Sequence, residues 1–226
     1  MEIKKILERE LLSGHTADEI LRMTLKQQES MALYEAGIQE ITTKLEILQR
    51  EAQCKRIHNP IDTIKSRVKS IFSILEKLDR KGFELSMDSA HQNLHDVAGI
   101  RVICPYIEDI YVVAERIRRQ DDLNVLIEKD YIKNPKPNGY RSYHMVVEVP
   151  VFLADSKQSV KVEIQLRTIA MDFWASLDHK IRYKMEDSVP QELKDELRDC
   201  AETIAETDRK MQEISKKVRA LSDDQQ

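Results

Sequence analysis

Nine consecutive residues, 136–144 (KPNGYRSYH), carry Lys136, Arg141, two tyrosines, a histidine and an Asn-Gly pair just ahead of the strand-like run MVVEVPVF. A hairpin loop uses Asn-Gly to turn the chain. It has no use for two rings and two cations, so this loop reads as built to hold something. A second group lies upstream. If SRVKSIFSILEK belongs to a helix spanning Arg67 to Arg80, Lys69, Ser73 and Lys77 fall at i, i+4 and i+8 on one face. Two ammoniums and a hydroxyl in a row suit a triphosphate, and Arg67 at the start is placed to stack on a base. Each close charge contact is worth about 4 kcal/mol at an effective dielectric of about 20, before desolvation. A solvated lysine face has the same pattern.

Two carboxylates add a third element. SVKVEIQLR alternates, with Val160, Val162, Ile164 and Leu166 on one side and Lys161, Glu163, Gln165 and Arg167 on the other. Such a polar side is often only the wet face of an antiparallel sheet. Asp96, in HDVAGIRVIC, precedes a strand that carries Gly99 and Arg101; a turn or cap role would also explain it. Two acids from different strands can jointly hold Mg²⁺, which takes one or two carboxylates plus phosphate oxygens. No Gly-x-x-x-x-Gly-Lys or Gly-x-Gly-x-x-Gly pattern occurs among the five glycines. Phosphate therefore has to be met by side chains and metal rather than by a glycine-rich backbone loop.

The elements that must position these groups follow from periodicity. Thr16-Ala17-Asp18-Glu19 matches a capping box. Met31, Tyr34, Ile38, Ile41, Leu45, Leu48 and Ala52 then form one stripe on a long helix ending near His58-Asn59-Pro60. A short helix is expected before Asp96, a buried strand at AGIRVIC, and a helix at IEDIYVVAERIRR. Strands follow at LNVLIEKDYI, SYHMVVEVPVF and SVKVEIQLR, and a helix at TIAMDFWASLDHKIRYK, with Phe173 and Trp174 expected in the core. Beyond Pro190, Leu193, Leu197, Cys200, Ile204, Met211, Ile214, Val218 and Leu221 mark a long terminal helix, with a frayed end at SDDQQ. The order predicts a mixed α/β fold in three parts: an N-terminal helical region over 1–58, a core over 59–186 and a C-terminal helix over 187–226. Both long stripes exceed what one small sheet needs, so they pair within a chain or build an oligomer.

Composition narrows the class. Thirty-six Lys+Arg against 40 Asp+Glu give a formal charge of −4, so the surface as a whole does not attract nucleic acid. Cys54, Cys104 and Cys200 form no Cys-x-x-Cys pair, which suits a reduced cytoplasm. The opening MEIKKILERELL carries charges throughout and reads neither as a signal peptide nor as a membrane span.

Taken in order, SRVK, HDVAGIRVIC, KDYIKNPKPNGYRSYH and EIQLRTIAMDFWASLDHK resemble the synthetase domain of the RelA/SpoT family, and more narrowly the single-domain small alarmone synthetases, from about Pro60 to Lys184. The resemblance implies a nucleotidyltransferase-like mixed sheet flanked by helices. It implies transfer of pyrophosphate from ATP to the ribose 3′-hydroxyl of GTP or GDP, with AMP released and Mg²⁺ as cofactor. By the same resemblance Arg67 and Arg101 sandwich adenine, while Lys69, Ser73 and Lys77 hold the ATP phosphates. Asp96 and Glu163 bind the metal, and Glu163 is the base for the 3′-hydroxyl. Lys129, Lys136 and His144 contact the acceptor phosphates, Asn138 shapes the loop and Tyr140 stacks on guanine.

Stacking is nearly blind to base identity, so guanine has to be read at its edge. Asp172, where the family often has Asn, has two oxygens for N1–H and the 2-amino group; placement near a helix N-terminus would also explain it. His144 also reads as a satisfied core histidine. The segment before Pro60 offers only His15 and His58, so synthesis without hydrolysis is expected. The family further implies a homotetramer, and some members bind RNA. A different nucleotidyltransferase that releases pyrophosphate, or a non-catalytic binder of guanine nucleotide or single-stranded RNA, are the competing readings.

Overall fold

The computed structural model describes residues 16–184 and 189–223. The charged opening and the last three residues of SDDQQ, both read above, lie outside that range. Thr16 caps the first helix, α1 (Ala17–Cys54), through the expected box: its hydroxyl accepts from the Glu19 N–H at 3.3 Å, and Glu19 Oε2 accepts from the Thr16 N–H at 2.7 Å. The helix ends ahead of the His58-Asn59-Pro60 stop, with Arg56 in the left-handed region at φ +52°.

Then follow β1 (Thr63–Val68), α2 (Ile71–Arg80), α3 (Met87–Asn93), β2 (Ala98–Cys104) and α4 (Ile107–Arg118). The chain continues through β3 (Asn124–Asp130), β4 (Tyr143–Phe152), β5 (Lys157–Thr168), α5 (Ile169–Lys184) and α6 (Gln191–Asp223). The five strands form one mixed sheet in the order β1-β2-β5-β4-β3. Only β2 and β5 run parallel; the other neighbours are antiparallel.

One expectation fails here. Arg67 and Lys69 do not lie on a helix: Arg67 is in β1, and the helix starts only after Ser70, whose hydroxyl accepts from the Ser73 N–H. TIKSRV takes the extended form because β2 supplies its hydrogen-bond partners, residue by residue from Thr63 opposite Ile103 to Val68 opposite Ala98. Ser70 then does what serine does best at a helix start.

The sheet separates the chain chemically. On one face Ile100 and Val102 of β2, Met145, Val147 and Val149 of β4, and Val160, Val162, Ile164 and Leu166 of β5 enter a single core. Tyr34, Ile38, Ile41 and Leu45 of α1 and Ile110, Val113, Ala114 and Ile117 of α4 close it. Gly37 explains how near α1 comes, since a Cβ there would sit 2.8 Å from Val160 Cγ1.

The other face is polar. Paired residues in a ladder point the same way, so Lys65 lies beside Arg101, Arg67 beside Gly99, and Gly99 beside Glu163. Gln165 stands between Arg101 and His144, and His144 beside Lys129.

α6 departs from its predicted stripe. Its buried side is Ala201, Ala205, Asp208, Gln212 and Ser215, while Met211, Ile214, Val218 and Leu221 are exposed. The buried side is set by α5 and α4, against which the helix lies. Trp174 is buried, its Nε1–H donating to the Leu197 carbonyl at 2.9 Å. Phe173, expected beside it in the core, is exposed. Cys54, Cys104 and Cys200 are all free thiols, and no helix among the described residues is long and apolar enough to cross a membrane.

Candidate active site

The polar sheet face carries two clusters with Glu163 between them. In the first, Lys69 leaves the end of β1 and Lys77 rises from α2, and both ammoniums donate to the same oxygen of Asp96, Oδ2. The helix-face geometry expected from sequence is absent, yet the two lysines converge all the same. Burial works to raise the Asp96 pKa, but the hydrogen bonds and charge of the two lysines outweigh it and hold the carboxyl below the usual range. Burial is also the largest influence on Lys69, which is pulled below an ordinary lysine despite Asp96. Asp96 Oδ1 is buried and has no partner. Ser73, in the first turn of α2, accepts at Oγ from the Ser70 hydroxyl at 3.0 Å. Arg67 is exposed on β1, one strand from Glu163 across Gly99. A Cβ at Gly99 would meet nothing nearer than the Arg67 carbonyl at 3.9 Å, so the floor between Arg67 and Glu163 is open.

The second cluster is the loop that opened the sequence question. Asn138 shapes it as expected, its Oδ1 accepting from the Tyr140 N–H at 3.3 Å. Gly139 takes φ +87° and donates its N–H to the Lys136 carbonyl at 2.8 Å, a conformation that suits glycine. Tyr140, Tyr131 and His144 meet edge to face, with centroids 5.2–6.2 Å apart. Lys136 Nζ stands 4.6 Å from the Tyr131 centroid and 4.8 Å from that of Tyr140. Tyr131 was missed from sequence; its position five residues before Lys136 carries no pattern of its own. Lys129 lies exposed on β3 beside His144.

Between the clusters runs a chain of polar side chains. His144 Nδ1 is 3.1 Å from Glu163 Oε1, and its Nε2 is 2.8 Å from the Tyr140 hydroxyl. Gln165 Nε2 donates to Glu163 Oε2 at 3.0 Å. Burial pushes Glu163 up, but His144 and Gln165 more than offset this and hold it low, while nearby Asp96 opposes them. Glu163 is thus an ionised carboxylate at neutral pH.

Arg167 extends the chain: its Nη2 donates to the Tyr140 hydroxyl at 2.7 Å and to Gln165 Oε1 at 2.9 Å, and its Nη1 to Asp172 Oδ1 at 3.1 Å. Arg101 Nη1 reaches the same Asp172 oxygen at 3.1 Å, and Lys65 lies 3.6 Å from Oδ2. Asp172 is therefore held by three cations of the sheet. Arg167 was not singled out in the sequence, although its place in the Glu163-Gln165-Arg167 alternation put it on this face.

The donor set suits a hard cation. Only oxygens of Asp96 and Glu163 are offered, and the orphaned Asp96 Oδ1 is the acceptor such an ion would take. No group of three His, Cys, Asp or Glu side chains fit to hold an ion occurs among the described residues, so the remaining ligands would be substrate oxygens and water.

The mixed sheet thus carries two cationic clusters on one face, with the ionised Glu163 carboxylate between them. Residues 66–188 match the region found in RelA and SpoT proteins. The chain is 45% identical over 207 residues to the GTP pyrophosphokinase YwaC of Bacillus subtilis, covering 92% of this chain and 99% of that one. Small alarmone synthetase 1 of Bacillus subtilis, in a structure with its product pppGpp, superposes with a TM-score of 0.80 at 35% identity, covering 86% of this chain and 99% of that one. A structure of the same synthetase with AMPCPP gives 0.73 at 32%, with coverage of 86% and 99%. The chain belongs to the RelA/SpoT family, among its single-domain small alarmone synthetases.

Proposed function

We propose that the protein is a GTP pyrophosphokinase that makes (p)ppGpp, moving pyrophosphate from ATP to the 3′-hydroxyl of GTP or GDP and releasing AMP. The observation that carries this reading is the register of β2, β5 and β4, which sets Glu163 between the Lys69–Lys77–Asp96 cluster and the Tyr140–His144 cluster. Support comes also from the names of the relatives: one is a GTP pyrophosphokinase, and one was captured with pppGpp and separately with AMPCPP.

ATP lies over β1 and β2, its adenine between Arg67 and Arg101 and its phosphates on Lys69, Ser73 and Lys77. The guanine nucleotide enters beside β4, its base on Tyr140 and its phosphates against Lys129, Lys136 and His144, with Asn138 holding the loop. Asp172 remains the candidate for the guanine edge, and its three sheet cations would have to share it with the base. The 3′-oxygen attacks the β-phosphorus of ATP, the bond from that phosphorus to the α-β bridging oxygen breaks, and AMP leaves with that oxygen. Glu163 takes the hydroxyl proton. Asp96 and Glu163 would hold Mg²⁺, which would neutralise charge on the transferred group. Until ATP arrives, Asp96 is covered by Lys69 and Lys77, and triphosphate oxygens would draw the two ammoniums away.

Residues 59–186 then carry both substrates, and the flanking segments 1–58 and 187–226 serve fold and assembly. The exposed stripe Met211, Ile214, Val218 and Leu221 supports assembly through α6, and the family resemblance favours a homotetramer. The reading assigns synthesis without hydrolysis, in the cytoplasm. Purified protein with labelled ATP, GTP or GDP and Mg²⁺ should yield AMP and the matching alarmone. Pyrophosphate as by-product, with no alarmone, would mean another transferase. Release of pyrophosphate from added ppGpp would refute the synthesis-only assignment, and light scattering tests the tetramer.

A further inference from the structure

We propose that the C-terminal helix α6 latches the acceptor loop, with Arg141 and Glu202 as positioning residues that set the affinity for the guanine nucleotide. The inference rests on the reading of that loop as the guanine-nucleotide site. Four contacts join the two segments. Gly139 lies so close to α6 that a Cβ on it would be 2.5 Å from the Ala201 Cβ. Arg141 Nη1 donates to the Gly139 carbonyl at 3.0 Å within the loop and to the Ala201 carbonyl at 3.3 Å on the helix. Its Nη2 reaches both oxygens of Glu202 at 2.9 Å. One guanidinium thus ties the loop backbone to the helix backbone, while the glycine rests on the helix surface.

The helix is itself fixed to the site. Trp174 of α5 donates to the Leu197 carbonyl, and buried Asp208 accepts from Thr168 at the end of β5 at 2.6 Å. The path is therefore β5 to α6 and α6 back to the loop, with Tyr140 lying between Gly139 and Arg141.

The physical consequence concerns preorganisation. The connection between β3 and β4 runs from residue 131 to 142, a length at which an unanchored loop samples many conformations. A guanine nucleotide closing on Tyr140 would have to order such a loop, and that cost would appear as weaker binding. Anchored to α6, the loop meets its ligand already shaped. Glu202 is largely exposed, with 59% of its side chain accessible, whereas only 11% of the Arg141 side chain is. An exposed ion pair by itself contributes little. Here the carboxylate serves to aim a guanidinium whose other bonds fix the loop.

Steady-state kinetics on Glu202→Ala and Arg141→Ala test this. Glu202→Ala should raise KM for GTP or GDP about threefold or more, and Arg141→Ala about tenfold or more. In both, KM for ATP and kcat should stay within about twofold of wild type. The double variant should match Arg141→Ala, because Glu202 acts through it. In nucleotide-free protein, amide hydrogen exchange across 136–142 should speed up in both variants. Unchanged guanine-nucleotide KM, parallel rises in both substrates' KM, or unchanged loop exchange would each overturn the latch. Should Arg141→Ala misfold, Glu202→Ala carries the test from the surface. If wild type makes no alarmone, the functional reading falls, and the exchange measurement still decides the latch.

Discussion

Arg167 is a strong place to perturb this protein. Its side chain is 5% exposed and makes three bonds, to Asp172, Tyr140 and Gln165. Consider Arg167→Met, which keeps much of the length and removes the charge. Removing one partner of a buried ion pair costs about 3–5 kcal/mol, because the other charge is left behind. Here Arg101 still holds the same Asp172 oxygen at 3.1 Å, which places the loss at the lower end, about 3 kcal/mol. For a chain of this size each kcal/mol shifts the melting temperature by about 2–4 °C, so a fall of roughly 6–12 °C is expected. Calorimetry at matched protein concentration, which guards against differences in assembly, reads it directly. Adding Asp172→Asn to Arg167→Met should not recover the loss, since Arg101 and Lys65 would then lose the carboxylate that faces them. A single variant within about 1 kcal/mol of wild type, or a double variant more stable than the single, would refute the view that Asp172 is the shared partner of these three cations.

Three further outcomes follow from the site. Glu163→Gln should retain the fold and lose synthesis by about 10²–10⁴-fold, the usual contribution of a positioned proton acceptor; near wild-type turnover would remove Glu163 from the mechanism. Tyr140→Ala should raise KM for the guanine nucleotide by roughly 5- to 150-fold, as loss of about 1–3 kcal/mol of stacking implies, and KM for ATP should be nearly unchanged; a matching rise for ATP would put Tyr140 elsewhere. The Asp208 carboxyl is raised by burial, with Thr168 only partly opposing. The folded state thus binds the proton more tightly than the unfolded one, and stability falls as pH rises from the unfolded value through the folded one. Asp208→Asn should therefore be the more stable protein at pH 7, with the advantage shrinking as pH drops toward 4; thermal melts that keep a constant gap at every pH would contradict this.

Much of this protein is set by local sequence. The Thr16-to-Glu19 box starts α1 because both of its bonds form within one turn. The alternation in SVKVEIQLR fixes which side chains of β5 meet the core, because the pleat leaves no other choice. Asn138 and Gly139 shape the acceptor loop through bonds within five residues. The segments around Lys69, Asp96, Tyr140 and Glu163 stood out by residue type, but each had a structural alternative, and it was their order along the chain that carried the family resemblance.

Tertiary structure decided the rest. TIKSRV is a strand only because β2 offers an edge to pair with, and no property of those six residues announces that edge. Lys69 and Lys77 converge on Asp96 from a strand end and a helix, through a packing of β1 and α2 that spacing along one helix misrepresents. The terminal helix buries Ala201, Ala205 and Asp208 and leaves Met211, Ile214 and Val218 exposed, although the apolar residues marked a neighbouring side. Ala201 lies directly against Gly139 of the acceptor loop, and Asp208 and Gln212 are held by bonds to Thr168 and Glu108 from elsewhere in the fold. Arg167 became a bridge for a similar reason: Gln165 and Asp172 are near it in sequence, but the Tyr140 hydroxyl comes from the loop before β4 and is brought within reach only by the pairing of β4 with β5.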